Sequence, residues 1–142
     1  MPSANIRHML FIDAPRRKVF EAVSTVEGFK KWWTVKTMGE EKIGGILTFG
    51  FTPGVNAKFK VSRKKIHELI ELVYHGRKED DWFNTKIIIR LTTENAKTKV
   101  DFNHNGYSNA DEFYGQCNFS WAKYLQSLKS FCETGEGKPF VK

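Results

Sequence analysis

The stretch NADEFYGQCNFSWAKYLQSLKSFCETGEGKP, residues 109–139, decides the fold. Apolar side chains recur at Ala110, Phe113, Tyr114, Cys117, Trp121, Tyr124, Leu125, Leu128, Phe131 and Cys132. That spacing gathers them on one side of an α-helix. Glu112, Asn118, Lys123, Gln126, Lys129 and Glu133 fall on the other side. Asn109 and Glu112 have the spacing of a capping box. Gly135 and Gly137 stop the helix, and Pro139 keeps it from resuming. A helix of about 25 residues is about 38 Å long, enough to cross a whole sheet. Gly115 sits inside it, at a cost of about 1 kcal/mol relative to Ala. It marks either a close helix–sheet contact or space left for a ligand.

Upstream the period changes from helical to alternating. In KTKVDFNHNG (97–106), Val100, Phe102 and His104 face one way and Asp101, Asn103 and Asn105 the other. TKIIIRLTT (85–93) is rich in strand formers. Residues 68–77 read as a further strand, followed by a charged loop over 77–81. Residues 57–66 alternate, with Phe59 and Val61 against Lys58 and Lys60. Leu47, Phe49 and Phe51 alternate after the Gly44-Gly45 turn, and Pro53-Gly54 marks the next turn. Thr34 to Gly45 holds a short strand. Short, evenly spaced runs bounded by turn residues predict an antiparallel sheet.

At the start, IRHMLFID (6–13) reads as a strand. Pro15 is suited to a first helical position, and Val19, Phe20, Val23 and Val26 follow at helical spacing. This predicts a helix over about 15–25. A second short helix over 27–33 ends at Trp32-Trp33. The chain shows no repeat and no linker, and its 142 residues suit one domain, 1–142.

The formal net charge is +7. The basic residues come in short clusters (Arg16, Arg17 and Lys18; Lys30 and Lys31; Arg63, Lys64 and Lys65), without a nucleic-acid motif. They read as solvated surface, with a phosphate-facing patch as the alternative. No nucleic-acid partner is expected. Cys117 and Cys132 lie 15 positions apart on the same helix, about 22 Å along its axis, too far for a disulfide. Two unpaired thiols fit a reducing compartment. With no apolar leader over Met1–His8 and no run of about 18 apolar residues, a cytoplasmic location without a membrane span is expected.

Several short pieces follow one another along nearly the whole chain. They are IRHMLFIDAPRRKVFEAV; Trp32-Trp33; Gly44-Gly45; Trp82 followed by Thr85 and IIIRL; Thr98-Lys99-Val100 leading to His104-Asn105-Gly106; and Cys117, Trp121, Leu125, Leu128 and Lys129 before Gly135-x-Gly137-x-Pro139. Together they resemble the START/polyketide-cyclase (SRPBCC) superfamily, and within it the family named for the activator of the heat-shock-protein-90 ATPase. The resemblance implies an α+β helix-grip fold. A curved antiparallel sheet would wrap the long C-terminal helix, with two short helices after the first strand and a cavity between sheet and helix. Related domains bind lipids, cyclise polyketides or assist chaperones, so the fold does not choose a function.

The candidate pocket residues are Trp33, Phe49, Phe51, Phe59, Tyr74, Trp82, Phe102, His104, Phe113, Cys117 and Trp121. Aromatics make up 14% of the chain, and for each of these side chains plain core packing stands as the alternative, and the commoner one, to ligand contact. His104 shares its strand face with apolar residues, so it needs either a protein partner or a ligand. Cys117 reads as a small hydrophobe, or as a nucleophile if His104 activates it. His8, His67 and His75 lie apart, so no metal spacing arises, and no phosphate loop or other cofactor motif is present. The leading expectation is a binding module for a small hydrophobic ligand, a lipid or an aromatic metabolite, with His104 or Tyr74 as polar anchor. The alternatives are a protein-interaction module with a chaperone partner or a second copy of the chain, and a cyclase, dehydratase or hydrolase that uses His104.

Overall fold

The computed structural model describes residues 3–141. The elements run β1 (Ala4–Ile12), α1 (Arg16–Ser24), α2 (Val26–Trp32), β2 (Lys36–Gly39), β3 (Ile46–Gly50), β4 (Asn56–Lys65), β5 (Leu69–Tyr74), β6 (Lys86–Glu94), β7 (Lys97–Tyr107) and α3 (Glu112–Thr134). The seven strands form one antiparallel sheet in the order β1-β7-β6-β5-β4-β3-β2. This is the helix-grip architecture, with two short helices after the first strand and α3 held in the curve of the sheet.

The alternation of the strands sets which side faces the helix. Leu47 and Phe49 on β3, Ala57, Phe59 and Val61 on β4, and Val100, Phe102 and His104 on β7 are buried. Their neighbours Lys58, Lys60, Lys99 and Asp101 point outward. Beyond Val61 the regular alternation of β4 fails. A register shift between Val61 and Arg63 turns Ser62 and Arg63 outward together. Lys64 is thereby turned inward, where its ammonium donates to the carbonyls of Ser24 and Glu41. Ser24 ends α1, so the charge meets the negative end of that helix.

The start of α3 differs from the sequence expectation. Its N-cap is Asp111, whose carboxylate accepts from the Tyr114 N–H at 2.9 Å, so Asn109 and Glu112 do not form a capping box. Asp111 sits immediately before the first apolar turn and reaches the third helical N–H directly. At the other end Gly135 adopts φ 90° and closes the helix onto the Phe131 carbonyl, a left-handed cap that glycine allows. Gly115 also departs from expectation. It faces solvent, and a Cβ placed there would meet nothing within 4 Å. It marks neither a tight helix–sheet contact nor a cavity wall.

The free edge of β1 is covered by α3 side chains. Tyr114 donates its hydroxyl to the Asn5 carbonyl, Lys129 donates to the Phe11 carbonyl, and Asn118 bonds His8. Covering an edge in this way stops it pairing with another chain. The opposite edge, β2, pairs with β3 alone among the described residues. After α3 the chain turns back, and Phe140 exchanges backbone hydrogen bonds with Trp33 and Val35.

Candidate functional site

Two adjacent rows of α3 side chains face the sheet near the helix N-terminus. Phe113, Cys117 and Trp121 form one row at four-residue steps, and Gln116, Ser120 and Tyr124 form the next. With Trp33 at the end of α2, Phe51 after β3 and Trp82 in the β5–β6 loop, they enclose a cavity of about 240 Å³. Gln116 and Ser120 are exposed while Cys117 and Trp121 are buried, so the cavity opens to solvent along the second row. Every lining side chain is uncharged.

The indole of Trp121 forms the cavity floor. It packs between Trp33 at 4.8 Å and Phe102 at 4.4 Å between ring centroids. Trp33 in turn rests on Phe49 at 4.2 Å. Such offset contacts fix flat rings in place and leave their free faces as walls.

Phe51, Trp82 and Phe113 also line a second, wider groove of about 740 Å³ that runs between the β3–β4 turn and the β5–β6 loop. This groove carries charged residues, with Lys58, Arg77, Glu79, Asp80 and Asp81 among its lining residues. Tyr74 lies on it and donates its hydroxyl to Asp80 at 2.9 Å. Burial, and then the Asp80 carboxylate, push the Tyr74 phenol up to about 12.

Of the residues named from the sequence, Trp33, Phe51, Trp82, Phe113, Cys117 and Trp121 meet at the cavity, and Tyr74 lies on the adjoining groove. Phe49, Phe59, Phe102 and His104 stand behind this wall, fully buried, and do not line it. Gln116, Ser120 and Tyr124 complete the lining. Their signal in the sequence is a position three or four residues from Phe113, Cys117 and Trp121.

His104 is bonded on both ring nitrogens. Trp121 Nε1 lies 3.0 Å from its Nδ1, the Tyr107 hydroxyl 3.0 Å from the same atom, and Thr85 Oγ1 3.0 Å from its Nε2. An indole N–H can only donate. Nδ1 therefore accepts, and the ring proton sits on Nε2, from which it is given to Thr85. Thr85 passes its own proton to the Trp82 carbonyl at 2.7 Å, and the Trp82 indole donates to the Tyr107 hydroxyl at 3.0 Å. The network ties β7, α3 and the β5–β6 loop together. Burial lowers the His104 pKa to about 3, so the ring is neutral.

Cys117 and His104 share no hydrogen bond. Burial raises the Cys117 thiol above its ordinary value. That environment disfavours the thiolate a nucleophile needs. Burial, and then Cys117, raise the Tyr107 phenol far above its ordinary value. Among the described residues no three His, Cys, Asp or Glu side chains cluster as a metal site, and no helix is long and apolar enough to cross a membrane.

A family model described as activator of Hsp90 ATPase homolog 1-like protein matches residues 13–133. The chain belongs to that family. The activator-like fold recurs in the solution structure described as the Aha1 dimer from Colwellia psychrerythraea. That chain is 33% identical, with a TM-score of 0.87 over 94% of this chain and 99% of that one. The protein SSP2350 from Staphylococcus saprophyticus is 18% identical, with a TM-score of 0.76 over 97% and 98% of the two chains. CalU16 from Micromonospora echinospora is 16% identical, with a TM-score of 0.72 over 94% and 87%. At such identities the last two share the fold alone. No curated protein matches the chain.

Proposed function

We propose that this activator-like domain binds a small, uncharged ring compound in the cavity beside α3. The observation that carries the reading is the lining itself: aromatic faces from Trp33, Trp82 and Trp121, with Gln116, Ser120 and Cys117 as the polar contacts and no ionic group. A volume of about 240 Å³ lies below the usual range for drug-sized ligands, about 300–1,000 Å³. It favours one or two fused rings over a long-chain lipid. Binding draws on apolar burial at about 25 cal/mol per Å², reduced by the cost of ordering the ligand.

Tryptophan fluorescence tests the reading, because three of the four tryptophans line the cavity. Titration with an uncharged naphthalene dye is expected to quench the protein emission saturably while dye emission rises. A linear, non-saturating response would count against the cavity as a binding site.

A second reading is assembly with another copy of the chain. The neighbour described as a dimer and the open edge of β2, with Val35 and Met38 exposed beside it, support it. Light scattering across a concentration series separates monomer from dimer, and a mass of one chain throughout would dismiss it.

A further inference from the structure

Away from the cavity, the outward face of the sheet holds the molecule's excess charge. Strand register places Lys58, Lys60, Arg63 and Lys65 of β4 on this face, with Lys86 and Arg90 of β6. One further basic residue on β1, one on β2 and two on β7 bring the outward strand total to ten. Glu68, in the turn after β4, lies 3.5 Å from Lys65, and the outward strand positions themselves carry three carboxylates, Glu71, Glu94 and Asp101. The surplus of seven equals the net charge of the whole chain, +7, so the rest of the molecule is balanced.

The three carboxylates are already engaged. Glu71 lies 3.2 Å from Arg63 and 3.8 Å from Lys86, Asp101 lies 3.0 Å from Arg7, and Glu94 lies 3.9 Å from Lys99. Lys58, Lys60 and Arg90 have no acidic group within 4 Å among the described residues. Lys60 is flanked across the strands by Ile46 and Val73, so the free charges border apolar side chains. Sheet spacing sets Lys58 and Lys60 about 7 Å apart, a repeat that an extended chain with alternating carboxylates can match.

We propose that this outward face, centred on β4 to β6, docks an acidic segment of a partner protein. Charge complementarity selects the occupant. A second copy is excluded from this face, since it would set the same positive surplus against itself. Single-stranded nucleic acid needs stacking platforms, and Phe11 on the distant edge strand is the one aromatic among the outward strand residues. Duplex readout needs a helix or ribbon that enters a groove, which a broad sheet face does not supply. The inference is independent of the cavity reading.

Fluorescence anisotropy of a labelled oligoglutamate peptide at low ionic strength tests it. The wild-type chain is expected to bind, more weakly as salt rises. Lys58→Glu with Lys60→Glu is expected to weaken binding by about tenfold or more, and Lys18→Glu with Lys31→Glu, the same charge change on α1 and α2, by less than about threefold. If the reversal pair unfolds in urea more readily than wild type, Lys58→Gln with Lys60→Gln replaces it, with an expected loss of about threefold. The proposal fails if wild type does not bind, if both pairs weaken binding equally, or if a single-stranded RNA or phosphatidylserine vesicles compete the peptide off while the reversal pair abolishes their binding.

Discussion

The Trp121 indole donates to Nδ1 of His104 at 3.0 Å, and this bond joins the cavity floor to the buried polar network of β7. The same ring presents its face to the cavity and its N–H to the network. Trp121→Phe therefore keeps an apolar floor and leaves Nδ1 with Tyr107 as its one partner. The expected loss is about 0.5–1.5 kcal/mol of stability, the net worth of one hydrogen bond to an atom that keeps a second donor, read from urea unfolding.

Because His104 titrates at about 3 in the fold against an ordinary value of 6.5, the unfolded chain binds the extra proton between these limits. The neutral ring's contribution is complete above pH 6.5 and falls as the pH drops toward 3. The carboxylates Glu71 and Glu133, both held below their ordinary 4.5, contribute only at more acid pH. Wild-type stability is thus expected to fall already between pH 6.5 and 5. In His104→Gln, less stable at neutral pH, that part of the slope should be absent. Urea unfolding at a series of pH values gives the comparison, and parallel curves would show that another group is responsible.

Gly115 lies on the solvent side of α3 with open space beside it. Gly115→Ala should stabilise the protein by about 0.5–1 kcal/mol, because alanine loses less backbone freedom on entering a helix. Thermal unfolding should show a higher midpoint. A lower one would mean that the position is crowded.

At the open row of the cavity, Ser120→Trp places a large ring in the mouth without entering the packed interior. Dye binding is expected to weaken by about tenfold or more, while the stability read from urea unfolding stays within about 0.5 kcal/mol, as for exposed substitutions. Undiminished binding would place the dye elsewhere.

Much of the fold was legible because periodicity reports which side is buried. Phe59 and Val61 against Lys58 and Lys60, or Phe113, Cys117 and Trp121 along α3, declare their faces without coordinates. Depth within the interior was not legible. Phe49, Phe59 and Phe102 follow the same alternation that brings Phe51 to the cavity, so their period cannot separate a wall from what lies behind it. His104 shows the same limit. Its inward direction followed from the strand, while its partners Thr85, Tyr107 and Trp121 come from a loop, a strand and a helix whose mutual placement is tertiary. Gln116 and Ser120 carry no such signal, because polar residues on an exposed row look like ordinary helix surface. Asn109 lost the cap to Asp111 because both are good capping residues, and the geometry of the first turn decided between them.

The central claim is that the gap between α3 and the sheet takes a ring compound, and amide chemical shifts test it most directly. Titration with an uncharged naphthalene dye should move the amides of Trp33, Phe51, Trp82 and Phe113–Tyr124 along one saturable curve, with the strand amides around Lys60 and Arg90 unmoved. Shifts scattered over the outer sheet, or none at all up to the solubility of the dye, would contradict it.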